Sequence, residues 1–318
     1  MVRAYATPIS EQVWQPDDAA KLRIRELMAD FSIEITPATA AKHTALADLL
    51  PAATRVYVAF VPGEDHRSVA ATAARVRAEG LVPVPHFPAR SIVDRAQLDD
   101  YLRCVTGEAG VDEVLVIGGG IDVPRGAFSG TRALLETGLF EAYGIRTIGF
   151  AGHPEGQRDL SAPGAAMTFQ QKLAYAGQTA ASARLVTQFM FEAEPLFGWE
   201  RMIRAQGNHL PIHVGVPGPA TIRSLLNYAR LCGVGNSMRV LTRQAGNLLK
   251  LASLAYPDAL ITALAWQRAG DPHSRIERLH FYPFGGLART ARWIEAIRAG
   301  AFTLHEDGLG FTVEGAAE

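Results

Sequence analysis

The segment EVLVIGGGID, Glu113–Asp122, is five strand-forming residues that stop at three glycines. An apolar run of this kind, with no polar alternation, is the pattern of a parallel strand buried on both faces. Seven more short runs repeat the pattern: Phe31–Ile35, Arg55–Phe60, Leu81–Phe87, Arg146–Ala151, Ala183–Phe191, Leu210–Val216 and Ile276–Phe284. The stretches between them read as helices. His66–Gly80 places Val69, Ala73 and Val76 on one face before Gly80 ends it, and Pro219–Gly233 places Ile222, Leu225, Leu226 and Ala229 at i, i+3, i+4 and i+7. Eight strand–helix alternations predict an α/β fold, a (β/α)8 TIM barrel. The gap from Pro217 to Arg275 exceeds one helix and predicts extra helices between strands seven and eight, one of them over Gln244–Tyr256. With no Pro/Gly/Ser-rich linker, residues 1–318 read as a single barrel domain and 1–30 as an N-terminal extension.

Composition narrows the function. At 48% hydrophobic residues and a net charge of −1, the chain is neither a disordered polyelectrolyte nor a basic nucleic-acid binder. Its apolar runs are too short to span a bilayer, and no apolar signal core opens the chain, so a cytoplasmic protein without a membrane partner is expected. Cys104 and Cys232 are in no ligand spacing, and neither a disulfide framework nor a metal site is expected. No GxSxG, HExxH or Walker loop is present.

In a barrel, chemistry gathers at the C-terminal ends of the strands. Glu34 is a carboxylate inside an apolar strand, costly to bury without a task or a partner. As an inward acid in a dry mouth it would suit proton donation near neutral pH; paired with a barrel lysine or arginine it would be structural. His86 ends the third run. Gly118 and Gly119 let a ligand approach the main chain, with Asp122 close behind. His153 follows Gly152 on a proline-stiffened loop, Gln188 puts an amide in an apolar strand, and Lys172 could reach an anion from the helix before it.

In order and spacing, FSIEITPAT, PHFPAR, VLVIGGGIDVPRGAF, GFAGHPEG, VTQFMF and HFYPF together resemble the methylenetetrahydrofolate reductase family, over Phe31–Phe284. The resemblance implies a flavin-dependent TIM barrel of one-carbon metabolism and methionine biosynthesis. It would use FAD as cofactor, NAD(P)H as co-substrate, a tetrahydrofolate derivative as substrate, and assemble as a homo-oligomer. Glu34 would protonate the folate amine during interconversion of 5,10-methylenetetrahydrofolate and 5-methyltetrahydrofolate. Ala59, His86, Ile117, Gly118, Gly119, Asp122, Gly152, His153 and Lys172 would hold the flavin; Gln188, Phe189 and Tyr282 would hold the substrate. Three positions depart from the family pattern. Gly120 stands where an aspartate is usual, Ala59 replaces a threonine, and Gly286 replaces an arginine, with Arg289 nearby. Loss of a negative charge beside the flavin would raise its potential and favour oxidation of 5-methyltetrahydrofolate. A flavin-free barrel that binds folate or transfers one-carbon units is the alternative.

Overall fold

A computed structural model describes residues 18–156, 161–232 and 251–315. Eight parallel strands close in the order β1-β10-β7-β6-β5-β4-β3-β2. They are β1 (Ser32–Ile35), β2 (Arg55–Val58), β3 (Val82–Pro88), β4 (Glu113–Ile117), β5 (Thr147–Gly152), β6 (Ser182–Phe189), β7 (Ile212–Pro217) and β10 (Ile276–Tyr282). Each expected run overlaps one of these strands, and the TIM barrel is the fold. Two short antiparallel pairs lie outside it: β8 (Ala220–Thr221) with β9 (Leu254–Ala255), and β11 (Phe302–Leu304) with β12 (Phe311–Val313).

Local chemistry explains the less obvious pieces. Strand β3 carries Pro83 and Pro85, each without an N–H for the ladder. It pairs with β2 over Val82–Pro85, whereas pairing with β4 starts only at His86, above both prolines. The helix His66–Ala78 starts at Asp65, whose carboxylate accepts from the Arg67 amide at 3.0 Å, and buries Val69, Ala73 and Val76.

Ahead of β1, the helix Asp18–Met28 buries Ile24, Leu27 and Met28 and packs on the helices Asp258–Gly270 and Leu287–Ala299. The apolar stripe of that helix is what makes it part of the core. The expected helix over Gln244–Tyr256 is not continuous, because Leu254 and Ala255 form β9; residues 244–250 lie outside the described residues. The helices Ile222–Cys232 and Asp258–Gly270 do fill the gap between β7 and β10.

Strand alternation sorts side chains between lumen and helices. Ile33, Ile35, Val56 and Val58 join the outer core. Tyr57, Val84, Leu115 and Val186 pack together as a separate cluster inside the lumen. Below them, toward the N-terminal ends, alternate strands supply Arg55, Glu113, Arg184 and Arg278 where barrels usually place branched apolar residues. Glu113 accepts from Arg55 at 3.0 Å and from Arg184; Arg278 pairs with Asp30. The two arginines hold the Glu113 carboxyl below its ordinary value despite burial, so this layer is ionised. It closes the lumen from beneath, which leaves the opposite end as the place for a ligand.

Candidate functional site

The C-terminal mouth is a cup of about 660 Å³, within the range of small-molecule sites. One wall is built from the ends of β2 to β5 and carries the glycine run. The other is aromatic: Phe189, Tyr228, Tyr282 and Phe284. Tyr228 and Phe284 stack at 4.4 Å, and Phe189 meets Phe284 edge-on at 4.7 Å. Phe284 holds this position with a φ of 48°, left-handed and unusual for a side-chain-bearing residue, just before Gly285 at 84°. Such a wall offers a flat face to a planar heterocycle.

Glu34 lies between the walls. Its Oε2 is 3.4 Å from His86 Nε2 and 3.8 Å from His280 Nε2. Burial raises the carboxyl pKa, and the His86 imidazole offsets this only in part. Burial also lowers the histidines, His86 to about 4 and His280 to about 3. Burial therefore disfavours the charged form of all three groups, and an ion pair of Glu34 with either imidazole is opposed from both sides. The lysine or arginine partner that would have made Glu34 structural is absent among the described residues. Tyr101 steadies β3 from behind, its hydroxyl donating to the His86 carbonyl at 3.0 Å.

The glycine run is a built feature. The Arg90 amide donates to Gly118 O at 2.9 Å, its guanidinium donates to Gly119 O, and Ala127 N reaches Val93 O at 2.8 Å. Gly119 has φ +98°, and a Cβ there would sit 3.2 Å from that of Pro88. At Gly120 a Cβ would meet only Pro62 at 4.0 Å, so the side chain missing there has room.

Gln188 owes its position to an irregularity. The register of β6 against β7 shifts between Val186 and Phe189, as a bulge does. Thr187 Oγ1 accepts from Gly215 N at 2.8 Å, Tyr282 donates to Thr187 O at 3.1 Å, and Gln188 Oε1 accepts from Phe189 N at 3.0 Å.

Ala59, His86, Ile117, Gly118, Gly119, Asp122, His153, Gln188, Phe189 and Tyr282 all line the cup with Glu34. Gly152 and Lys172 do not. A Cβ on Gly152 would stand 2.9 Å from the Trp199 ring, on the outer side of β5, because Gly152 has the opposite parity to the lumen-facing Ala151. Lys172 comes from the helix Ala162–Gln178 and donates to Ala151 O at 2.8 Å; burial pushes its ammonium down to about 8. It lines a second cavity of about 320 Å³ with Thr131, Arg132 and Thr168, separated from the cup by the Ala151 backbone. Sequence reading missed His280, Tyr57, Arg90 and Tyr228. His280 was detectable, since it shares a strand face with Tyr282 two residues on. No group of three His, Cys, Asp or Glu side chains among the described residues is arranged to hold a metal ion, and no helix among them is long and apolar enough to cross a membrane.

No family model matches the chain. Among solved structures, an uncharacterized protein from Clostridium thermocellum that binds two copies of 5-methyl-5,6,7,8-tetrahydrofolic acid aligns at 11% identity and a TM-score of 0.51, over 83% of this chain and 96% of that one. D-psicose 3-epimerase from Clostridium cellulolyticum H10, solved with D-tagatose, aligns at 13% identity and a TM-score of 0.35, over 93% and 91%. At 11% identity the likeness to the first is one of fold, and it agrees with the closed eight-stranded barrel.

Proposed function

We propose that the cup binds a reduced folate and that the protein interconverts 5,10-methylenetetrahydrofolate and 5-methyltetrahydrofolate, with FAD as cofactor and NAD(P)H as electron partner. The observation that carries this reading is a carboxyl, Glu34, set between two buried imidazoles in a cup with an aromatic wall, where burial raises its pKa. Opening the five-membered ring of the methylene folate requires a proton on the amine nitrogen whose C–N bond breaks. A carboxylic acid kept protonated by burial donates that proton at neutral pH, where an ordinary glutamate is already ionised. The iminium carbon that results accepts a hydride, and Glu34, left as carboxylate, regains a proton before the next turnover. Gln188 offers an amide to the edge of a bound heterocycle, and Tyr282 and Phe284 offer faces to its plane. The folate bound by the Clostridium thermocellum protein supports the choice of ligand class.

Gly118, Gly119, His86 and His153, which line the cup, would hold the ring of FAD there. When bound, FAD would carry the hydride between nicotinamide and folate. The flavin-free alternative draws on Gly120 and Gly286, which stand where the resemblance leads one to expect an aspartate and an arginine.

Colour separates the two readings. The purified protein is expected to be yellow and to bleach, without oxygen, on adding NADH or 5-methyltetrahydrofolate. A colourless protein that binds tetrahydrofolate moves the conclusion to the alternative, and one that binds neither flavin nor folate overturns both.

A further inference from the structure

We propose that His280 is a positioning residue for Glu34, with its tautomer fixed by Ser32 so that a bare Nε2 faces the carboxyl and accepts a hydrogen bond from the protonated acid between turnovers. His280 Nδ1 lies 2.9 Å from Ser32 Oγ. The Ser32 hydroxyl has its own acceptor, the Leu279 carbonyl at 3.5 Å. With the serine proton directed there, Oγ is left to accept, and Nδ1 carries the hydrogen. Nε2 is then the lone-pair nitrogen. It is buried, has no hydrogen-bond partner among the described residues, and lies 3.8 Å from Glu34 Oε2, a gap that a small side-chain rotation of Glu34 closes.

The ring is held on both sides. Tyr57 packs against it at 4.4 Å and Tyr282 at 4.7 Å, both edge-to-face. It is fully buried, so it exchanges no proton directly with solvent. His86 differs: it lines the cup itself and is the other imidazole facing Glu34. The two histidines thus divide the work. His86 is the route by which a proton returns from the cup, and His280 fixes where that proton is kept. An acceptor aimed at a carboxyl favours its protonated form, whereas an N–H aimed there would favour the carboxylate. Arg184, in the layer below, also opposes its protonation.

This inference deepens the folate reading, but its first test does not depend on it. Nitrogen NMR of the protein labelled at histidine, with His280 identified by its disappearance in His280→Gln, is expected to show a protonated Nδ1 and a bare Nε2. A protonated Nε2 overturns the proposal, whether or not folate is a substrate. The second test rests on the folate reading. Ser32→Ala releases the tautomer and allows an N–H to face Glu34. The alkaline limb of the folate step should then move to lower pH by roughly one unit, while electron transfer from NADH to a dye stays as in the wild type. An unmoved limb in a variant that still turns over folate contradicts the positioning role. Absence of folate turnover in the wild type itself counts against the function proposed above, and the nitrogen signals alone then decide this one.

Discussion

Glu34 and Glu113 point into the same lumen from opposite ends, and their surroundings shift their proton affinities in opposite directions. Glu113 is met by Arg55 and Arg184, which keep it ionised. Glu34 is met by His86 and His280, themselves discharged by burial, and its carboxyl is pushed up by burial. Burial opposes ionisation at both; the difference is whether a permanent cation stands within reach. The lower acid belongs to a closed network that stabilises the barrel. The upper one has a proton to give and a cup in which to give it.

Substitution at each acid should therefore damage a different property. Glu34→Gln is expected to lower folate turnover by roughly 10²- to 10⁴-fold, the usual worth of a general acid. Its denaturation midpoint should be no lower than that of the wild type, because no charge is removed from the fold. Loss of stability with turnover retained would reverse the comparison. Glu113→Gln should do the opposite. It leaves Arg184, 8% exposed, without its carboxylate, at a cost of roughly 3–5 kcal/mol in a urea titration.

The pH dependence of stability sharpens the contrast. His86 and His213 titrate at about 4 in the fold and His280 at about 3, against 6.5 when unfolded. Folded values below the unfolded one mean that the unfolded chain takes up protons first. Stability is complete above pH 6.5 and is lost as pH falls toward 4, by about 1.4 kcal/mol per unit for each histidine. Glu113, with its lowered value, adds to the acid loss below its unfolded 4.5. Glu34 has the opposite sign. Its raised value costs stability as pH climbs above 4.5, and Glu34→Gln should remove that alkaline decline. Urea titrations across pH 4–9 on both variants check these signs.

The smallest expected effect concerns a third carboxylate. Gly120 has an ordinary φ and open space at its Cβ position, so Gly120→Asp fits without strain. If the flavin reading holds, the added charge should lower the flavin midpoint potential by roughly 30 mV, the equivalent of a tenfold change in equilibrium for a two-electron couple. A potentiometric titration with no downward shift would show that the glycine wall does not face the ring.

The barrel was legible because parallel strands buried on both faces cannot be polar, so each announced itself as an apolar run. Glu34 was legible for the same reason, as the exception within such a run. The ionised layer was harder to see. Arg55, Glu113, Arg184 and Arg278 sit at or near strand beginnings, where a charge looks like solvated punctuation; only the closed barrel shows Arg184 and Glu113 meeting across the lumen. That Lys172 lies outside the cup was not legible either, because spacing along a helix says nothing of which side of a neighbouring strand the side chain will reach. Phe284 and Tyr228 come together from segments far apart in sequence, and no local pattern joins them.

The protonation state of Glu34 in the resting protein tests the account most directly. Infrared difference spectra of wild type against Glu34→Gln at pH 7 should contain the carbonyl band of a protonated carboxyl that the substitution removes, with no such band lost in Glu113→Gln. If the wild type shows only the carboxylate bands for Glu34 at that pH, the upper acid is ionised like the lower one, and the proton-donating role assigned to it is wrong.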